Sequence, residues 1–282
     1  MRQNKAWIVT VDMGYGHQRA AYPLRHLSPT DKVVIANNYE GIPNSDKSLW
    51  KSSRQVYEVI SRIKNIPIIG DWIFNAMDYF QQIPNFYPRR DLFKPTIQLK
   101  TIYGWIKRKK WGKDLIDYLN HEGPGMPLIT TFFIPAFMAE EHGYKGEIYC
   151  VICDADCSRA WAPLDPKKSR IKYLAPCRRV VERLKLYGVR EDQIFLTGFP
   201  LPEENIGGNN LKSLKNDLAE RVINLDPNHF YRQKYGSTVK QYLQDIKLGT
   251  KHHHPLTLTF AVGGAGAQRQ LGCEVLASLK HK

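Results

Sequence analysis

The stretch Ala6-Trp-Ile-Val-Thr-Val11-Asp12-Met-Gly14-Tyr15-Gly16-His17-Gln-Arg19-Ala20-Ala21 decides the fold. Ala6 to Val11 is rich in bulky and β-branched residues, which suit a strand. Two glycines then break the run, and a helical pattern follows from about Gln18 to Leu27. Lys32 to Ala36 reads as the next strand. Strand, glycine loop, helix and strand make a βαβ unit, and that unit calls for a parallel sheet.

The same alternation returns after residue 125. Leu128 to Thr131 reads as a strand, Pro135 to His142 as a short helix closed by Gly143, and Glu147 to Cys153 as a strand. Ile171 to Leu174 is a further strand. Pro176 to Tyr187 is a helix with Val181 and Leu184 inward and Gly188 as its stop. Gln193 to Thr197 is a last strand, ended by Gly198-Phe-Pro200. The expected fold class is α/β, with one doubly wound domain over residues 1–200.

Residues 48–118 interrupt this rhythm. Leu49, Val56, Ile60 and Ile63 stand at helical spacing, and more aromatic, helix-like sequence runs on to Lys107-Arg-Lys-Lys110. The stretch holds 13 Lys and Arg against 6 Asp and Glu, so half of the net charge of +14 falls in a quarter of the chain. Four of the six tryptophans (Trp50, Trp72, Trp105, Trp111) are here as well. An insertion so composed is expected to have a task of its own. An excess of cations favours an anionic partner such as a phosphorylated substrate, an acidic membrane surface or nucleic acid. Residues 201–254 read as linker helices, amphipathic at 211–223 and 237–248. Leu256 to Val262 reads as a strand, followed by Gly263-Gly264-Ala-Gly266 and a helical tail. Residues 255–282 thus look like the first β-loop-α of a second Rossmann-like domain that is not completed within the 282 residues.

Few residues are equipped for chemistry. His17 stands at the carboxyl end of the first strand, where open α/β sheets place their ligands, and its near-neutral pKa suits a general base. The competing reading is a His that caps its helix or bonds a loop carbonyl. Gly14 and Gly16 let a ligand approach the backbone closely. Asp154 and Asp156, at the end of the Glu147–Cys153 strand, can orient a His or bind a hydroxyl, or else serve as a loop cap and a solvated charge. No spacing completes a metal site. Five cysteines form no framework, and Cys150-Val-Ile-Cys153 reads as a strand end with reduced thiols. His252-His-His254 reads as an exposed turn. The short apolar run at the start is no signal peptide, and no run reaches the ~20 apolar residues of a spanning helix.

Taken in order, Val9–His17 with Arg19-Ala-Ala21, Leu128–Gly143, Asp154–Trp161, Leu184-Lys-Leu-Tyr-Gly-Val189 with Gln193–Pro200, and Leu256–Gln268 resemble the two-domain (GT-B) glycosyltransferases related to monogalactosyldiacylglycerol synthase. More distantly they are similar to the N-acetylglucosaminyl transferase of peptidoglycan lipid synthesis. The resemblance implies an acceptor domain and a donor domain facing across a cleft, and a membrane-associated, inverting hexosyl transfer from a nucleotide-sugar, a UDP-sugar by expectation, to a lipid hydroxyl. It implies His17 as catalytic base, with Asp12, Gly14, Tyr15, Gly16, Asp154 and Asp156 around the acceptor. Gly263, Gly264 and Gly266 would face the leaving diphosphate. No cofactor or metal is implied. Trp105, Lys107, Arg108, Lys109, Lys110 and Trp111 would meet an anionic membrane, placing the chain peripherally on its cytoplasmic face. Tyr15 departs from the small residue common between the loop glycines, and the donor-gripping residues of the family would lie beyond Lys282.

Two other readings stay open. A basic nucleic-acid-binding protein fits the charge and the aromatics, although no recognition element stands out. A dinucleotide-binding oxidoreductase fits the glycine loop. It lacks the third glycine, and Asn37-Asn38 stand where a ribose-binding acid belongs.

Overall fold

The computed structural model describes residues 5–63, 83–244, 246, 248–249, 258–261 and 269–279, and the side chains of residues 54–63 are left aside. Trp72, the His252–His254 turn and Gly263, Gly264 and Gly266 lie outside the described residues. Two compact units are formed: Met1–Pro200 together with Val262–Lys282, and Leu201–Ala261.

The first unit is built on a six-stranded, all-parallel sheet. Its strands are β1 (Trp7–Thr10), β2 (Val34–Ile35), β3 (Leu128–Thr130), β4 (Ile148–Val151), β5 (Lys172–Ala175) and β6 (Ile194–Leu196), in the order β2-β1-β3-β4-β5-β6. Register is direct, with Trp7 opposite Leu128, Leu128 opposite Ile148, Cys150 opposite Tyr173, and Tyr173 opposite Ile194. The order reverses direction between β1 and β3, because β2 follows β1 on one side and every later strand is added on the other.

Right-handed crossovers turn that order into an arrangement of helices. The step from β1 to β2 runs one way along the sheet and puts α1 (Tyr15–Ala21) on one face. All later steps run the other way and put their helices on the opposite face: α2 (Asn44–Ile63), α3 (Ile97–Lys109), α4 (Lys113–Glu122), α5 (Phe133–Glu141) and α6 (Arg178–Leu186). The alternation of side chains along the strands agrees. Trp7, Val9, Leu128, Ile148, Cys150 and Tyr173 join the main core with residues of α2 to α6, whereas Ala6 and Ile8 pack with Ala21 of α1 in a second, smaller one.

The insertion is therefore fused to the main core. Leu49 and Trp50 of α2, Leu99, Ile102 and Ile106 of α3, and Leu115 and Leu119 of α4 are all buried in it. Trp111 is 0% exposed, edge-on to Trp50 with ring centres 4.7 Å apart and to Trp105 at 5.9 Å. Of the tryptophans assigned to the insertion, Trp50 and Trp111 are core residues. That corrects the expectation that Trp111 meets a membrane. A buried Asp46 carboxylate accepts from the Gly112 amide at 2.9 Å, tying the start of α2 to the α3–α4 turn.

Within the insertion, ahead of α3, residues 83–96 run without regular structure and are strapped onto α6. Arg183 donates to the Pro84 carbonyl at 2.9 Å, Arg89 pairs with Glu182 at 2.9 Å, and the Leu92 amide donates to the Leu186 carbonyl at 3.0 Å.

The second unit holds α7 (Glu203–Ile206), α8 (Lys212–Leu225) and α9 (Phe230–Leu243). The amphipathic piece expected at 211–223 falls on α8, and of the one expected at 237–248 residues 237–243 form the second half of α9, which ends at Leu243. Ala219, Val239 and Leu243 join the pair, and Asp226 accepts from the Tyr231 and Arg232 amides to cap α9. The expected strand 256–262 is not formed over its described part. Leu258 to Ala261 pair with no strand and are exposed. The helix α10 (Arg269–Leu279) closes the described chain.

Candidate functional site

Carboxyl ends of strands on either side of a reversal in strand order form a crevice, because the connections leave in opposite directions. Here that crevice opens between β1 and β3. Thr10, last in β1, and Thr131, just after β3, share a buried hydroxyl hydrogen bond of 2.8 Å, which sets the two strand ends side by side. On the other flank, Asn37 after β2 accepts from the Asp12 amide at 2.8 Å and donates to the Asp12 carbonyl at 3.2 Å. The Asp12 carboxylate accepts from Gln18 at 2.9 Å. Asp12 thus pins the loop to the helix that follows it.

Gly14 is the residue before α1 and has φ 129°, a value that side chains with a Cβ rarely adopt. This turn starts α1 immediately at Tyr15, so that His17 falls in its first turn. There His17 Nδ1 lies 2.9 Å from the Thr131 carbonyl oxygen. A carbonyl can only accept, so Nδ1 carries the proton and neutral His17 keeps its lone pair on Nε2. Nε2 makes no hydrogen bond among the described residues. The ring is walled by Phe132, edge-on at 4.8 Å, and by Trp161 at 6.3 Å. Burial against these walls lowers the His17 pKa below its ordinary value, while the Thr131 carbonyl and the charge of Asp154 oppose the shift.

Asp154 comes from the loop after β4. It is exposed, yet partial desolvation by the crevice raises its carboxyl above the usual range, with His17 pulling the other way. The two groups therefore sense each other across the crevice. Their loop is held rigidly. Arg159, 4% exposed, donates to the carbonyls of Phe93, Ala162 and Pro163. Tyr187 and Tyr173 donate to the carbonyls of Cys157 and Trp161 at 2.8 and 2.9 Å. Cys153 points its thiol at the Thr131 carbonyl at 3.4 Å, and burial pushes that thiol up to about 12, so it stays protonated. All five cysteines are free.

Asp156 has a different role from the one expected of it. Arg183 grips it through two bonds, Nε to Oδ1 at 2.9 Å and Nη2 to Oδ2 at 3.0 Å, and Arg179 adds a third at 2.6 Å. Burial would raise its carboxyl, but these cations outweigh that and hold it below the ordinary range. A carboxylate so occupied fastens the loop to α6 and is not offered to a ligand. Tyr15 is 68% exposed at the mouth of the crevice, with Arg19 stacked 5.7 Å from its ring centre. Gly16 leaves open space beside it.

The structure brings together Asp12, Gly14, Tyr15, Gly16, His17 and Asp154. It separates Asp156 from them chemically, and it adds Thr131, Phe132 and Trp161. The tautomer-setting Thr131 carbonyl leaves no mark in the side-chain pattern, because it is a backbone group. Trp161 was already in the Asp154–Trp161 segment, and Arg183 stood on the inward face of its helix beside Val180 and Leu184.

Lys107, Arg108, Lys109 and Lys110 are exposed at the carboxyl end of α3, where cations complement the helix dipole. Trp105 is partly exposed beside them, with Lys109 Nζ 5.9 Å from its ring centre. No helix among the described residues is long and apolar enough to cross a membrane, and no group of three or more His, Cys, Asp or Glu among them is arranged to hold a metal ion. The chain matches no family model, no curated protein and no solved structure.

Proposed function

We propose that the crevice at the β1–β3 reversal is the acceptor side of an inverting glycosyl transfer, with His17 as general base. The observation that carries this reading is the His17 Nδ1–H bond to the Thr131 carbonyl, which leaves the basic lone pair on Nε2. Nε2 takes the proton of an acceptor hydroxyl as its oxygen bonds to the anomeric carbon of a nucleotide-sugar. The bond from that carbon to the diphosphate breaks, and the nucleoside diphosphate leaves with the electron pair. Attack opposite the leaving group inverts the configuration. Asp154 steadies the imidazolium as it forms, because its charge favours the protonated ring.

The nucleotide-sugar donor and the lipid character of the acceptor come from the sequence resemblance, as does the diphosphate role of Gly263, Gly264 and Gly266. Peripheral binding to an anionic membrane is part of the same proposal. It rests on the exposed Lys107–Lys110 cluster with Trp105, since each Lys or Arg near such a surface contributes about 1 kcal/mol.

The test is a transfer assay with a panel of nucleotide-sugars and diacylglycerol or polyprenyl acceptors dispersed in anionic vesicles. His17→Ala should lower turnover by about 10²–10⁴-fold with its fold intact. Turnover by His17→Ala at the wild-type rate would remove His17 from the mechanism.

A further inference from the structure

Thr130 closes β3 on the side of the strand that faces the main core. It stands opposite Val9 and Cys150, on the same side as the core residue Leu128, and is 0% exposed. Valine has the same shape, suits a strand as well and would bury no polar group there. A hydroxyl in such a place has to be hydrogen-bonded, and both of its bonds go to one residue. It donates to the Phe132 carbonyl at 3.0 Å and accepts from the Phe132 amide at 3.2 Å.

That amide belongs to the peptide unit whose carbonyl is that of Thr131. The unit falls between two elements, since β3 ends at Thr130 and α5 begins at Phe133. On its amide side it is held by the Thr130 hydroxyl. On its carbonyl side it accepts from His17 Nδ1 at 2.9 Å and, from the far side of β4, the Cys153 thiol at 3.4 Å. Thr131 itself is tied to β1 by its amide, which donates to the Val9 carbonyl at 3.1 Å, and by its hydroxyl, paired with that of Thr10 at 2.8 Å. The freedom left to Thr130 is the tilt of the 131–132 peptide plane.

A carbonyl accepts best near its own plane, so that tilt decides how well the oxygen meets the imidazole N–H. Hydrogen bonds in a chain also polarise one another, and a hydroxyl oxygen on the amide makes the carbonyl a stronger acceptor. We infer that Thr130 is a positioning residue for His17: its hydroxyl, acting through the Thr131–Phe132 peptide, holds the proton on Nδ1 and so keeps Nε2 free as a base. The consequence for turnover rests on His17 being the base of the proposed transfer, whereas the consequence for the tautomer does not.

The test is nitrogen-15 NMR of the imidazoles in the full chain at pH 7, with Thr130→Val and Thr130→Ser set against the wild type. Thr130→Val removes the hydroxyl at constant shape, and the Nε2-protonated form of His17 should become the major one, because the tautomer follows the hydrogen bond that fixes it. Thr130→Ser keeps the hydroxyl and should retain Nδ1–H. His142, whose Nε2 lies 2.9 Å from the Trp111 carbonyl, reports on the fold and should not change. Where Thr130→Val shifts His142 as well, Thr130→Ala takes its place with the same expectation. A His17 that stays protonated on Nδ1 without the hydroxyl, or an equal shift in Thr130→Ser, would overturn the inference. In the transfer assay Thr130→Val should lose roughly 10–100-fold in kcat with KM little changed, and Thr130→Ser should recover most of it. A wild-type chain without turnover would count against the proposed transfer and leave the NMR result to decide on Thr130.

Discussion

Removing the Asp156 carboxylate isolates the energetics of the loop that carries Asp154. The side chain of Arg183 is 0% exposed and that of Asp156 is 15% exposed. In Asp156→Ala the buried guanidinium keeps, among the described residues, the Pro84 carbonyl and the face of Phe86, 4.9 Å from its ring centre. Deleting one partner of a buried ion pair costs about 3–5 kcal/mol, because the other charge is left without compensation in a poorly solvated place. At roughly 2–4 °C per kcal/mol for a domain of this size, the melting temperature should fall by about 6–20 °C. The sign with pH follows from the depressed carboxyl. Its stabilisation is fully present above the unfolded value near 3.9 and is lost as pH falls through the lower folded value. Thermal and urea unfolding of both proteins at pH 7 and at pH 3 measure this. The gap should be wide at pH 7 and narrower at pH 3. A loss under about 1 kcal/mol at pH 7, or a gap that widens in acid, would refute the view that this pair is a buried clamp.

Other consequences can be checked alongside. The pH profile of kcat/KM should show an acid limb below the ordinary His value of about 6.5, since burial lowers the His17 pKa. Asp154→Asn should move that limb further to acid, because its charge now opposes the shift, and an unmoved limb would dissociate the two residues. Gly112→Ala should destabilise by about 2–4 kcal/mol in urea unfolding. Gly112 has φ 81°, and a Cβ there would come within 2.3 Å of the sulfur of Met138, which is fully buried and has no room to withdraw. Replacing Arg108, Lys109 and Lys110 together by Gln should weaken binding to anionic vesicles by on the order of 3 kcal/mol at low salt, roughly 100-fold, with only a small fall in melting temperature from the lost complement to the α3 dipole. Binding indifferent to these changes would remove that surface from the proposal.

The sheet was readable because its signals are local. Ala6–Val11, Leu128–Thr131 and Glu147–Cys153 each pair a β-rich run with a glycine or polar stop, and each lies within a residue or two of an observed strand. The helix at Pro176–Tyr187 was placed correctly. Its inward face proved to hold Val180 and the fully buried Arg183 along with Leu184, while Val181 is only partly buried. A buried arginine is invisible to hydrophobic periodicity, since its place depends on a carboxylate 27 residues away. Trp111 was misjudged for a related reason. Its basic neighbours mark a surface, yet the αL residues Lys110 and Gly112 turn the chain there and drop the indole into the core against Trp50. In the site, His17 was legible as the polar side chain following a Gly-x-Gly loop. Its tautomer was not, because the Thr131 carbonyl that fixes it arrives from 114 residues away.

The central claim is that His17 presents a neutral imidazole with its proton on Nδ1 and a free, basic Nε2. Nitrogen-15 NMR of the imidazole groups, with His17→Gln used to assign the signal, reports tautomer and charge on the chain as it stands. At pH 7 the His17 signal should show Nδ1 protonated and Nε2 unprotonated, with titration below 6.5. A His17 that carries its proton on Nε2, or that is already cationic at pH 7, would contradict the assignment of His17 as the base.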